Sequence, residues 1–275
     1  MDRVSIVHDN FLRRVGTGDL PYVSPRGLDA DDAHRLFEQQ CLTRALDIVS
    51  REMQKAGYGF YTIGSSGHEG MAAVAHARRV DDIAFLHYRD GAFQVARAAQ
   101  KGQDMCRDML LSYACAADDP TSGGRHKVLG SRDLFIPPQT STIASHLPKA
   151  VGAAYGIALA RRNRPELAIL PEDAIAVASI GDASLNHSTA QGAINAAGWT
   201  SVQGAPLPLL FICEDNGIGI STNPPTGWVE SSLANRPGVK FLNGDGCDLW
   251  DAYAAASEAA ANVRKSRKPA VLHLR

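Results

Sequence analysis

The stretch from Ala174 to Thr222 limits the fold more than any other part of the chain. Two short apolar runs, Ala174–Ile180 and Pro208–Cys213, are rich in β-branched and large aliphatic residues. Each stops abruptly, at Gly181-Asp182 in the first case and at Glu214-Asp215-Asn216-Gly217 in the second. A helix of small residues lies between them. Runs apolar on both faces belong to strands covered on both sides, so the pattern predicts neighbouring strands of a buried parallel sheet joined by a helical crossover. In such sheets ligands sit outside the carboxyl ends of the strands. Asp182 and Asn216 would face each other on that rim, a carboxylate and an amide oxygen suited to a hard cation such as Mg2+ or Ca2+. The glycines beside them let backbone approach a phosphate closely. Either motif alone says little, because these residues end strands and make turns everywhere. The pair, one crossover apart, carries the expectation.

The rest of the chain keeps the alternation. Residues 1–28 hold Gly16, Gly18, Pro21, Pro25 and Gly27 without sustained periodicity and are expected to form an extended N-terminal arm. A long amphipathic helix is predicted from Asp29, with Asp31 and Asp32 at its positive end, to a C-cap at Gly57. Leu36, Phe37, Leu42, Ala45, Leu46, Val49 and Met53 set its apolar face, which core packing is enough to explain. A glycine-rich loop over 57–67 feeds a helix opening near His68, and Ile83–His87 reads as a strand. Helices are expected near 92–101, 104–116, 147–162 and 248–265, with further strands at 239–242 and 270–274. Residues 117–140 read as one polar loop, longer than compact domains keep without a role. Strands alternating with helices predict the α/β class: a doubly wound, mainly parallel sheet with helices on both faces, forming one domain over residues 29–275.

Composition narrows the partners. A formal net charge of −1 gives no bulk electrostatic reason to expect nucleic acid or an acidic membrane surface. No apolar run approaches the roughly 20 residues of a membrane span, and the amino terminus lacks the apolar core of a signal peptide. The 5 cysteines are scattered without metal-ligand spacing, as expected of a reduced, cytoplasmic protein.

Several segments together resemble the alpha subunit of the thiamine diphosphate-dependent first component of 2-oxo acid dehydrogenase complexes. Gly181-Asp182-Ala183-Ser184-Leu185-Asn186 through Phe211–Ser221 is similar to the family's cofactor motif. The resemblance implies Mg2+ ligands at Asp182, Asn216 and the carbonyl of Ile218, with Gly181, Ala183 and Ser184 in the cofactor-binding turn. Asn186 and Asn195 also fall on matching asparagines. Gly67-His68-Glu69-Gly70 resembles the family segment at a helix start. Tyr88-Arg89-Asp90 matches its Tyr-Arg-Asp, which places Tyr88 and Arg89 on the diphosphate; Arg suits this role because its planar fork fits phosphate oxygens. The run Ser141–Gly156 is most similar to the branched-chain type, implying that Ser141 contacts the aminopyrimidine and Ile143 props the cofactor in its bent form. Gly124-Arg125 fits the same branch. The similarity covers about residue 30 to the end.

There are departures. Ala183 replaces the usual third glycine, and Asp215 stands where the first of two asparagines is common. The segment Gly198–Pro206 lengthens the motif, as a surface insertion would. The family's catalytic histidine lies beyond the strand matching Ala270–Leu274, past Arg275. A chain truncated at its C-terminus, or an alpha-beta fusion cut in its middle, is the expectation. His126 is the one catalytic candidate within the sequence, and His126 and His146 could equally be structural histidines. Asn243–Asp248 is a poor calcium loop, with Ala254 where the bidentate Glu belongs.

The resemblance implies oxidative decarboxylation of a small 2-oxo acid, branched-chain favoured and pyruvate next, with the acyl group passing to a lipoyl-bearing acyltransferase. It implies thiamine diphosphate and Mg2+ as cofactors, a beta-type subunit or domain completing the site, an oligomer, and little activity from this chain alone. The alternatives are a transketolase-like thiamine diphosphate enzyme and a degenerate, non-catalytic scaffold subunit.

Overall fold

The computed structural model describes residues 3–20, 26–60, 63–219 and 222–275. In chain order it runs through α1 (Arg3–Thr17), α2 (Ala30–Lys55), α3 (Met71–His76), β1 (Ile83–Phe85), α4 (Gly91–Gln100), α5 (Cys106–Tyr113), β2 (Leu129–Ser131), β3 (Ile136–Gln139) and α6 (Leu147–Asn163). It continues through β4 (Ala176–Gly181), α7 (Ser188–Val202), β5 (Leu209–Glu214), α8 (Trp228–Ala234), β6 (Lys240–Gly244), α9 (Leu249–Ser266) and β7 (Ala270–Leu274).

Five strands form one sheet in the order β1-β4-β5-β7-β6, and every pairing in it is parallel. The two runs that open the sequence argument are direct neighbours, Ala176 opposite Leu209 and Gly181 opposite Glu214. All six residues of each are buried, because successive side chains serve opposite faces. Val177, Leu210, Ile212 and Leu272 join the core under α3, α4 and α9. Ala178, Ile180, Phe211 and Val271 join the core under α6 and α7. Both faces are covered, which is why the runs do not alternate with polar residues.

Four expectations are corrected. Part of the segment expected to run extended is helix α1, whose Phe11 ring sits 6.1 Å from that of Phe37 on α2. The 117–140 segment contains an antiparallel hairpin, β2 with β3, whose far side is stitched to β1 through Ala84 N donating to Phe135 O at 2.9 Å. Pro137 and Pro138 inside β3 hid it, since proline removes ladder donors. The lengthened motif at Gly198–Pro206 begins as the last turn of α7 rather than a loop. A Cβ on Gly198 would stand 2.3 Å from Pro237 O, so only glycine lets that turn lie against the loop before β6. Finally, packing alone does not explain α2. Phe37, Leu42 and Val49 are exposed, while Thr43, Asp47 and Ser50 are buried. Asp47 Oδ2 accepts from Ser65 N and, at 3.2 Å, from Ser66 Oγ, so α2 braces the glycine-rich loop.

Candidate functional site

The carboxyl ends of β1, β4 and β5 lie side by side, and the polar residues gather there. Asp182 opens a single 3-10 turn (Asp182–Asn186) directly after β4. Its Oδ1 accepts from Ala183 N at 2.6 Å, while its Oδ2 is buried without a hydrogen-bond partner. Burial raises its pKa, with the nearby Asp215 carboxylate adding to the effect. Asp215 is held from the next strand by His273 Nε2 at 2.7 Å, which gives the aspartate at the family's asparagine position a structural partner. Asn216 is exposed, and its Oδ1 accepts from Ile218 N at 3.0 Å in a tight turn. The turn folds back over the 3-10 segment, so that a Cβ on Gly219 would stand 3.1 Å from Ala183 Cβ. Asp182 and Asp215 are close neighbours at the rim, and Asn216 follows Asp215 in the turn after β5. An orphaned, buried carboxylate oxygen with all-oxygen neighbours fits a hard divalent ion.

The end of β1 supplies the next residues. Tyr88 is buried, its ring 4.0 Å from that of His87. The Arg89 guanidinium lies over the Tyr88 ring at 5.2 Å and donates to Gly64 O at 2.7 Å. Arg89 is therefore pinned between an aromatic face and the glycine-rich loop, with fork donors left for an anion. Gly181 is the last residue of β4 and Ser184 is buried beside it in the turn. Ser141 and Ile143 lie exposed in the loop after β3. Ile218 is exposed as well. His126 is half-buried in the loop before β2, and burial lowers its pKa. His146 is fully enclosed, its Nε2 2.7 Å from Ser179 O, a structural role. Asn186 accepts from Trp228 Nε1 at 2.8 Å and Asn195 is exposed on α7.

Beneath the rim lies a buried polar floor that the sequence did not reveal. Ser179 Oγ donates to Asp90 Oδ2 and accepts from His87 N at 2.9 Å. His68 Nδ1 lies 2.6 Å from Glu214 Oε2. Burial pushes Glu214 up to about 8 and Asp90 well above the usual carboxylate range, with Glu214 adding to the latter. Burial also lowers His68, and lowers His87 well below the usual imidazole range. Burial thus disfavours the charged form of each of these groups, which is how a dry site tolerates so many titratable side chains. The only sequence signals were a glutamate closing an apolar strand and a histidine preceding Tyr88. A cleft of about 780 Å³ lies between Ile83, the β2–β3 hairpin and the start of α5, and shares no residue with the rim.

The family described as dehydrogenase E1 component matches residues 38–275. The chain is 26% identical over 248 residues to the mitochondrial 2-oxoisovalerate dehydrogenase subunit alpha of Mus musculus, covering 88% of this chain and 51% of that protein. It is 25% identical over 246 residues to subunit alpha 2 of Arabidopsis thaliana, covering 87% and 48%. The chain thus spans about half the length of these curated relatives. Among solved structures it resembles transketolase from Leishmania mexicana, with a TM-score of 0.53 at 18% identity, covering 86% of this chain and 36% of the other. That likeness concerns the fold alone. With most of its length inside the family match, and with its strand-end residues gathered on one rim, the chain belongs to the dehydrogenase E1 component family.

Proposed function

We propose that this chain is the alpha-type part of a thiamine diphosphate- and Mg2+-dependent 2-oxo acid dehydrogenase, holding the diphosphate half of the cofactor. The observation that carries the reading is the unpartnered, buried Oδ2 of Asp182 at the end of β4, with Arg89 and Asn216 just past the ends of the two strands that flank it. Asp182, Asn216 and the carbonyl of Ile218 would hold Mg2+, and Tyr88 and Arg89 the diphosphate. Ser141 and Ile143 would face the thiamine ring. When bound, thiamine diphosphate supplies the carbanion and the electron sink for decarboxylation. The chain's own work is positional: it neutralises diphosphate charge, fixes its orientation and keeps water from the buried floor.

A branched-chain 2-oxo acid is the favoured substrate, which the names of the relatives support, and pyruvate is the next. A beta-type subunit or domain and a lipoyl-bearing acyltransferase complete the reaction in this reading. Helices α6 and α7 support a partner, because both are apolar on their outward faces as well. Tyr155 and Leu159 on α6, and Trp199 and Val202 on α7, stand exposed, and Gly152 and Gly156 leave open space along α6. A cytoplasmic location belongs to the same reading, supported by five free cysteines. Among the described residues no helix is long and apolar enough to cross a membrane. A degenerate scaffold is the competing reading. Calorimetric titration with thiamine diphosphate and Mg2+, with a beta-type partner present, separates the two, since absence of binding would overturn the enzymatic one.

A further inference from the structure

Apart from the Asp182–Asn216 rim, the described residues bring together one group of side chains able to ligate a metal. His68, His87 and Glu214 each offer a ligand atom, all within 4.8 Å of one another, and all three are buried. Both ring nitrogens of His87 and Oε1 of Glu214 are enclosed without a hydrogen-bond partner. Buried polar atoms left unpaired are rare and call for an explanation, a bound ion among them. The elements around the group pack closely. The rings of His68 and His87 are 5.6 Å apart, and residue 181 is a glycine whose added Cβ would stand 3.4 Å from the His87 ring.

The donor set decides the ion. Two imidazoles and one carboxylate suit borderline divalent metals such as Zn2+, whereas the rim offers only oxygens, suited to Mg2+. We propose that His68, His87 and Glu214 form a second metal site, for a borderline divalent ion of the Zn2+ class, separate from the Mg2+ rim. Binding would draw the three atoms to the roughly 2.0–2.2 Å from the ion that Zn2+ requires, replacing the His68–Glu214 contact. Asp90, whose carboxyl lies near that of Glu214 and whose Oδ1 is likewise unpartnered, is the candidate for the fourth position. Burial disfavours the charged form of His87, and a neutral imidazole is the form that ligates. Because His68 precedes α3, His87 follows β1 and Glu214 ends β5, the ion would tie three segments of the rim together.

The test is Co2+ titration of the purified chain in excess Mg2+ and thiamine diphosphate, followed by visible absorption. The expected result is one equivalent of Co2+ with intense d–d bands, displaced by Zn2+. H87Q should weaken binding by more than the roughly 10- to 100-fold that loss of a supporting hydrogen bond costs, while D182N keeps the bands. Absence of bands, bands that survive in both H87Q and E214Q, or bands lost in D182N would each overturn the proposal. Should the variants not fold, 15N histidine spectra of the unaltered chain decide. Zn2+ must shift two imidazoles, and unshifted spectra sink the site. Neither outcome depends on cofactor turnover, so failure of the cofactor reading would remain distinguishable.

Discussion

Replacing Asp182 by Asn gives opposite expectations for the empty and the loaded protein. In the empty state Oδ1 accepts from Ala183 N and Oδ2 has no partner, with the Asp215 carboxylate nearby. Two like charges about 4 Å apart repel by roughly 4 kcal/mol at an effective dielectric near 20, an upper bound here because His273 engages Asp215. Asn keeps the acceptor, removes one charge and places an N–H where it can donate to Asp215, a bond worth about 1.5–3 kcal/mol if made well. A net gain of about 1–2 kcal/mol is expected, or roughly 2–8 °C in Tm for a chain of this size. The loaded state reverses the order. Ligand at about 100 times its Kd stabilises the unaltered protein by roughly 2.7 kcal/mol, and D182N should lose that increment because Mg2+ loses its charged ligand. Thermal unfolding followed by circular dichroism, with and without Mg2+ and thiamine diphosphate, reads both. An empty D182N that melts below the unaltered chain, or a Mg2+-dependent rise that survives, would refute the reasoning.

Other outcomes follow from the same structure. Glu214 has a folded-state pKa near 8, well above its ordinary 4.5, so the folded chain holds the extra proton and its stability falls as pH rises from about 4.5 to 8. His68 and His87 are lowered instead, so their contribution is lost as pH falls below about 6.5. In chelator, E214Q should flatten the alkaline decline in urea unfolding by up to one proton, about 1.4 kcal/mol per pH unit, and an unchanged slope refutes the assignment. Lys127 is fully buried over the Tyr113 ring, its amine pushed down to about 8 by burial. K127M should stabilise the chain by at most about 3 kcal/mol at neutral pH, with the gain fading as pH rises from about 8 to 10.5 and absent above that; loss of stability at pH 7 would count against this. Gly70 has ordinary backbone angles, but a Cβ there would stand 2.3 Å from Gly246 O. G70A should therefore cost about 1–3 kcal/mol by steric displacement alone, visible as a lower urea midpoint at unchanged slope.

What the sequence disclosed and what it hid divide along a physical line. Ala176–Gly181 and Leu209–Glu214 were legible because burial on both faces leaves an unbroken apolar run, and their polar ends marked the rim. The helix over Arg3–Thr17 was hidden by flanking glycines and prolines, although Val7, Phe11 and Val15 keep a helical spacing. The β2–β3 hairpin was hidden by its two prolines, and α8 by the proline-bearing loops around it. The polar floor was illegible for another reason: Ser179, Asp90, His68 and Glu214 come from four separate segments, and only the sheet order brings them together. No local pattern records a strand order. Asp182 and Asn216 could be nominated from a crossover of known length, whereas His68 and Glu214 are separated by most of the domain.

That floor also answers a difficulty built into the sheet above it. Strands apolar on both faces say little about which residue should sit opposite which, since a shift by one places an alanine where a valine was. The polar atoms do say. Sliding β4 one residue along β1 would turn Ser179 to the opposite face, taking its hydroxyl from the Asp90 carboxyl and the His87 amide, which would keep only their bond to each other. Sliding β5 would carry Glu214 away from His68 in the same way. Each misalignment costs far more than the few lost apolar contacts. The groups beneath the rim therefore act as an alignment key, and the proposed cation site at Asp182 and Asn216 would inherit its geometry from that key.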